Sequence, residues 1–363
     1  MRDQPFALND PQRAAALSSA MHRLVPRDRA VKIVHICGTH EATITEHGLR
    51  KLLPDQVHVL EGPGCPVCVT PTSDIDAALQ LLDAGVTVCT FGDMLGVPGS
   101  GRTLAQARAA GADVRTVLSA ADAARIARSV PQQVAFFAVG FETTAPMTAA
   151  VLVDDPPSNL SLLVSHKLIP PAMAALLEMP DTAIDGYLAP GHVSTIIGLQ
   201  PYTQLPGGGA VPIVVGGFEP LDVLYALTLL LRQIATGVSS VENGYPRAVD
   251  AEGNPAAQRL IERVFSPCDA QWRGIGSIPG SGLALREPWE DRDARTRFRI
   301  EGRAGDDLIP GCRCADMLTA RAVPSDCPLF ATKCTPSTPV GPCMVGSEGA
   351  CRIWFRYGGR PIL

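Results

Sequence analysis

The sequence has no G-x-x-x-x-G-K-S/T loop and no G-x-G-x-x-G turn, so the two commonest phosphate cradles are missing and nucleotide binding has little support. Basic residues are not in excess: 31 Lys and Arg stand against 36 Asp and Glu, for a formal net charge of −5. No basic patch with interleaved aromatics occurs, and the electrostatic footprint of a nucleic-acid binder is absent. Long apolar runs are lacking too. The most apolar helical stretch, Leu221–Thr236, is too short for a bilayer and carries Asp222 and Arg232, so it reads as a core helix. The opening residues, MRDQPFALNDPQRAAAL, hold no apolar signal core, and the expectation is a cytoplasmic protein that meets no membrane. Charged residues make up 18% and hydrophobic ones 46%, a balance that folds.

What the chain does have is cysteine, eleven in 363 residues. In a reducing compartment structural disulfides are disfavoured, so clustered cysteines point to metal or redox chemistry. Cys37, Cys65 and Cys68 lie near the start, whereas Cys312, Cys314, Cys327, Cys334, Cys343 and Cys351 crowd the end. Cys89 and Cys268 stand apart and read as small buried hydrophobes.

Between Ala30 and Gly237 short apolar runs alternate with amphipathic stretches. Strands are predicted at Val31–Ile36, Val57–Leu60, Val86–Thr90, Val114–Leu118, Val134–Val139, Leu160–Val164, Gly186–Leu188 and Val211–Val215. Helices are predicted at Ile75–Leu82, Thr103–Ala110, Ala120–Ser129 and Leu221–Thr236. Continuous β-branched runs between helices indicate buried parallel strands of an α/β fold. The expected organisation is an N-terminal helical segment (1–30), two Rossmann-like α/β domains (31–130 and 131–238) around a cleft, and a smaller C-terminal iron–sulfur domain (239–363). The seam between the α/β units is expected at Ser129–Gln133, beside Pro131. Beyond Ser239 loops dominate around one predicted helix, Pro255–Val264, and a metal site would compensate for a small core.

The unusual residues fall directly after the predicted strands: Cys37-Gly-Thr-His-Glu41, Gly62-Pro-Gly-Cys-Pro-Val-Cys68, Phe91–Asp93, Gly140–Pro146, Ser165–Lys167, Pro190–His192 and Gly217–Pro220. In open α/β sheets, ligands bind at the carboxyl ends of the strands. These turns are therefore expected to line one cleft, with Thr39, Glu41, Glu142, His192 and Glu219 among its walls and His166 a further polar candidate.

Cys327, Cys334, Cys343 and Cys351 are spaced C-x6-C-x8-C-x7-C in a Gly/Pro-rich segment that can bring four thiolates together. The spacing suits an iron–sulfur cluster; structural zinc, which usually takes two close cysteine pairs, stays open. Cys312 and Cys314 stand outside this ligand set, as alternative ligands, a redox pair or structural thiols. Cys65-Pro-Val-Cys68 has thiol–disulfide spacing, with half of a zinc site as the other reading. Cys37 with His40 admits a thiolate ligand for a soft metal, a Cys–His nucleophile or a buried thiol beside a capping Thr39.

Taken together, CGTHE at Cys37–Glu41, GPGCPVC at Gly62–Cys68, GFETTAP at Gly140–Pro146, PGHVSTIIG at Pro190–Gly198, GGFEP at Gly216–Pro220, EGN at Glu252–Asn254 and the C-terminal cysteine segment across Cys327–Cys351 resemble the hydrogenase maturation protein HypD family. The likeness runs from about Val31 to Tyr357; Gly244 and Gly346 stand where polar residues are expected. It implies a scaffold on which the Fe(CN)2CO unit of [NiFe]-hydrogenase is assembled. Such a protein works with a small HypC-type chaperone and a HypE-type cyanide donor, and is monomeric on its own. By position, Cys37 would ligate the iron with His40 beside it, and Cys65 and Cys68 would be the thiol–disulfide pair. A [4Fe–4S] cluster on Cys327, Cys334, Cys343 and Cys351 would exchange electrons with that pair. The competing function is a cluster-dependent thiol–disulfide reductase acting on a protein disulfide; that reading has no need of Cys37. Whether the scaffold turns over as an enzyme is not legible in the sequence.

Overall fold

The computed structural model describes residues 10–205, 210–301, 307 and 309–358. Its strands are β1 (Val31–His35), β2 (Val57–Glu61), β3 (Thr87–Thr90), β4 (Val114–Thr116), β5 (Val134–Gly140), β6 (Leu160–His166), β7 (Gly186–Pro190), β8 (Ile213–Gly216), β9 (Val241–Asn243), β10 (Phe265–Trp272) and β11 (Gly276–Leu285). They form a five-stranded parallel sheet in the order β2-β1-β7-β8-β9, a four-stranded parallel sheet in the order β4-β3-β5-β6, and the antiparallel pair β10-β11. All eight predicted strands are present.

Both parallel sheets are covered on both faces, which is why their strands read as unbroken apolar runs. Side chains alternate across the sheet. Val31 and Ile33 of β1, Leu188 of β7 and Val214 of β8 join one apolar cluster with Met21, Leu224 and Leu227. Val34, Tyr187, Ala189, Ile213 and Val215 join another on the opposite face. In the four-stranded sheet Phe136, Leu162 and Val164 face one way and Phe137, Val139 and Leu163 the other. The helix Pro220–Thr236 is a core helix with ten buried residues, packed on the helix Pro11–Leu24, whose start is capped by Asp10.

The seam expected at Ser129–Gln133 needs correction. It lies inside one sheet, because β5 pairs with β3, Thr87 facing Val134. The chain lays down β1 and β2, crosses to build β3 to β6, and returns to add β7, β8 and β9 to the first sheet. The division 31–130 and 131–238 therefore cuts across both sheets. Pro131 marks only a turn between the helix Ala120–Ser129 and β5. Local patterning reveals strands but carries no record of which strands pair.

The β10-β11 ribbon, Phe265 facing Leu285 and Trp272 facing Gly276, lies where loops were expected. Pro267, Asp269 and Pro279 interrupt its pattern. Short helices follow, ending in Ala350–Tyr357, which packs on the helix Gly38–Glu46 after β1. Among the described residues no helix is long and apolar enough to cross a membrane.

Candidate functional site

The carboxyl ends of the two parallel sheets converge on a cleft of about 380 Å³. Turns after β1, β2, β3, β5 and β7 supply Cys37, Gly64, Asp93, Phe141, Thr143 and His192 to its walls. The turn after β4 adds Val117 and Leu118, and the C-terminal segment adds Ser347 and Glu348. Of the seven turns expected here, those after β6 and β8 do not reach the wall. Their residues act beneath it: Phe218 stacks under His192 with ring centroids 3.8 Å apart, and His166 meets the Thr148 hydroxyl at 3.0 Å.

Cys37 caps the helix Gly38–Glu46 and is buried. Burial, and secondly the charge of Glu348, push its thiol up to about 11, against the backbone N–H groups of His40 and Thr39 and the Thr39 hydroxyl. Such a thiol holds its proton until a cation takes its place, which suits a metal ligand better than a resting nucleophile. The approach is close: a Cβ on Gly64 would sit 2.2 Å from the Cys37 nitrogen, and one on Gly38 would sit 2.2 Å from the Glu348 carbonyl oxygen. Glycine at both positions is what lets these three segments meet.

His40 is buried behind Cys37 and does not line the cleft. Its Nε2 lies 3.0 Å from the Gly217 carbonyl and 3.3 Å from that of Gly216, so Nε2 carries the proton and Nδ1 offers a lone pair with no partner in the fold. Burial, then the neighbouring His35, hold its pKa down to about 3, so the ring stays neutral. Thr39 is half-buried and bonds both Cys37 and Glu348.

Thr39 is not among the residues that line the cleft, and three further expected wall residues are placed elsewhere. Glu41 turns away from the cleft into a buried network, accepting from Arg50 Nη2 at 2.7 Å, Thr45 at 2.6 Å and Trp354 Nε1 at 2.6 Å, with His35 Nε2 at 2.8 Å. Cys37 is the extended cap residue outside the helix, whereas Glu41 lies within its first turns, where its bond from Trp354 fastens this helix to Ala350–Tyr357. Glu142 faces a different cavity and accepts from the Ile169 N–H at 2.9 Å. Glu219 is exposed at the start of the helix Pro220–Thr236, its N–H bonded to Asp222. His192 does line the cleft.

Cys65 and Cys68 form a disulfide and are fully buried. Their neighbours Gly64, Pro66 and Val67 line the cleft, so the disulfide lies directly under its floor. Both cysteines belong to one large apolar cluster that also holds Cys314, Cys334, Cys343 and Cys351, and the Cys343–Cys351 segment meets the disulfide where a Cβ on Gly346 would lie 3.5 Å from the Cys65 sulfur. Cys327 sits in an adjoining cluster, linked through Leu329 and Phe330, which pack against both. Cys312 is packed against Gly341, where a Cβ would come within 2.6 Å of its sulfur. The Cys343 thiol donates to Cys314, which lowers Cys314 and raises Cys343, and the buried Arg273 also favours the Cys314 thiolate. Among the described residues no three Cys, His, Asp or Glu side chains already stand in an ion-holding arrangement. The donor set itself, soft sulfurs in a dry pocket, fits an iron–sulfur cluster or zinc. It is also larger than expected, because Cys312 and Cys314 belong to the same neighbourhood.

A family model described as HypD, hydrogenase formation hypA family, matches residues 12–358. The chain belongs to the HypD family. It is 44% identical to the hydrogenase maturation factor HypD of Cupriavidus necator, over 90% of this chain and 89% of that protein. A putative hydrogenase expression/formation protein of Methanocaldococcus jannaschii is 42% identical over 96% of this chain and 98% of its own length. The hydrogenase expression/formation protein HupD of Azotobacter chroococcum is 44% identical over 91% and 90%.

In this HypD-family chain the cleft contains two features that sequence reasoning missed. Glu348 sits against Cys37 from more than three hundred residues away, and its carboxyl is raised by burial and then by Asp93. The SEGAC motif between two cysteines was a usable signal for it. Leu118 stands 91% exposed at the cleft mouth; nothing local marks it except an apolar residue at a strand end.

Proposed function

We propose that the chain is the scaffold on which iron acquires cyanide and carbon monoxide during [NiFe]-hydrogenase maturation. The observation that carries the reading is the layering of three sulfur sites. Cys37 lies in the cleft wall, the Cys65–Cys68 disulfide beneath the floor, and the segment between Cys343 and Cys351 packs against that disulfide at Gly346. Iron is the cargo, held by the Cys37 thiolate once its proton has left, with the neutral His40 and the Glu348 carboxyl beside it. Cyanide and carbon monoxide favour low-spin Fe(II), and a thiolate anchor leaves other positions open. A [4Fe–4S] cluster on Cys327, Cys334, Cys343 and Cys351 supplies single electrons. Two electrons and two protons open the Cys65–Cys68 bond into two thiols, and the reverse step returns them.

A HypC-type chaperone closes the cleft and contributes a further ligand, and a HypE-type partner delivers cyanide. The exposed Leu118 at the mouth supports such a cover. The reductase reading is disfavoured because Cys65 and Cys68 are fully buried and are not among the residues that line the cleft, where a substrate disulfide would have to enter. The test is anaerobic co-purification with the small chaperone, followed by infrared spectroscopy in the cyanide and CO stretching region. Bands in the wild type that vanish in Cys37→Ala are expected. Undiminished bands in Cys37→Ala would sink the assignment.

A further inference from the structure

Four successive residues of the C-terminal segment each meet a different part of the cleft region. Val345 packs on the turn after β3, where a Cβ on Gly96 would lie 3.1 Å from its Cγ1. A Cβ on Gly346 would lie 3.2 Å from that of Val67. Ser347 is tied to Asp93: its N–H and its hydroxyl both donate to Oδ2, at 2.9 and 2.7 Å. Glu348 packs on Gly38, where a Cβ would fall 2.5 Å from its own, and its carboxyl bonds the Thr39 side chain and acts electrostatically on Cys37.

The stretch is held from outside for a local reason. The helix Pro342–Val345 stops at Gly346, which is extended, and Gly349, also extended, caps the helix Ala350–Tyr357. Ser347 and Glu348 therefore belong to neither helix, and a backbone N–H there needs a partner from another segment. Asp93, in the turn Gly92–Gly96, supplies one. Both bonds to Ser347 are exposed, so they contribute little to the stability of the whole fold. Their effect falls on where the next residue, Glu348, stands. Asp93 also repels Glu348, and a cation beside Cys37 would offset that repulsion.

We propose that Asp93 is a positioning residue: by latching Ser347 it sets Glu348 against Cys37, so that a cation in the cleft is gripped by a sulfur from the turn after β1 and a carboxylate oxygen from the C-terminal strap. The proposal rests on the reading of Cys37 as the iron anchor. It adds that the grip is composite, completed only when the strap between Cys343 and Cys351 is closed on Asp93.

The test titrates the anaerobically purified full chain with Co(II) and follows the thiolate-to-cobalt absorption that is lost in Cys37→Ala. Asp93→Ala removes both bonds to Ser347 and should weaken this binding by about tenfold, as loss of hydrogen bonds to a charged group implies, with a melting curve close to wild type. Asp93→Asn keeps an oxygen acceptor for Ser347 and should stay within about threefold of wild type. Glu348→Ala keeps the Cβ that packs on Gly38 and should also cost about tenfold. Adding Asp93→Ala to Glu348→Ala should cost at most about threefold more, because a latch that acts through Glu348 has nothing left to position. If Asp93→Ala fails to fold by circular dichroism, Ser347→Ala stands in, with an expected loss of about threefold for one neutral bond.

Unchanged binding in Asp93→Ala, in Glu348→Ala or in the stand-in overturns the latch. So does an Asp93→Asn variant as weak as Asp93→Ala, or full multiplication of the two losses in the double variant. Each of these leaves Cys37 as the anchor. A wild type with no Cys37-dependent cobalt absorption would instead overturn the anchor itself, and the latch with it.

Discussion

Replacing Glu41 with glutamine removes one charge and little volume, so it isolates the ionic part of the Glu41 clasp, its buried pair with Arg50 in the turn Leu49–Leu52. Glutamine can keep its carbonyl where Thr45 and Trp354 donate, at 2.6 Å each. Its amide nitrogen then faces Arg50 Nη2, which lies 2.7 Å from Oε2 in the wild type. Breaking a buried pair by removing one partner costs about 3–5 kcal/mol. Arg50 retains the Val59 carbonyl at 3.2 Å, and the glutamine amide can still bond His35, which places the loss at the lower end, about 3 kcal/mol. The pH dependence is the sharper test. Burial would raise the Glu41 carboxyl, but Arg50 and His35 outweigh it and hold it well below the usual carboxylate range. Its contribution is therefore complete above the unfolded value of about 4.3 and is lost as pH falls through the lower folded value. Urea unfolding followed by tryptophan fluorescence, at pH 7 and stepwise below pH 4, should give a gap between wild type and Glu41→Gln that shrinks on acidification. A gap under about 1 kcal/mol at pH 7, or one that ignores pH, would refute the clasp.

Gly64→Ala forces a methyl to within 2.2 Å of the Cys37 nitrogen, so it should lower the melting temperature and cut hydrogenase maturation in a complemented deletion strain. Wild-type behaviour in both would mean that the turn yields freely. Leu118→Asp should abolish co-purification with the small chaperone while leaving the melting curve unchanged, because the side chain is 91% exposed. Chaperone binding undisturbed by the aspartate would move the docking surface elsewhere. Anaerobically purified protein should contain about four iron atoms with matching sulfide. Cys343→Ala should lose them, and zinc in their place would defeat the cluster.

The order of the elements and the chemistry of the turns were determined by the sequence alone. Unbroken runs such as Val134–Val139 required strands buried on both faces, and the Gly- and Cys-bearing segments after them had to fall at strand ends, because apolar periodicity is a local record of burial. The thiol inventory was equally legible, since cysteine clustering depends on residue type and spacing. Strand pairing was left to the tertiary structure: β3 beside β5 and β1 beside β7 follow from where the crossovers land. So was the direction of each side chain within a motif. CGTHE places Cys37 in the cleft and Glu41 in a clasp because Cys37 is the extended cap residue and Glu41 belongs to the helix that follows. GFETTAP points Phe141 and Glu142 into different cavities because neighbours in a tight turn diverge. The β10-β11 ribbon was hidden by its prolines and aspartate, and its stability comes from the cores it covers. Glu348 reaches Cys37 only because the C-terminal segment folds back across the mouth of the cleft.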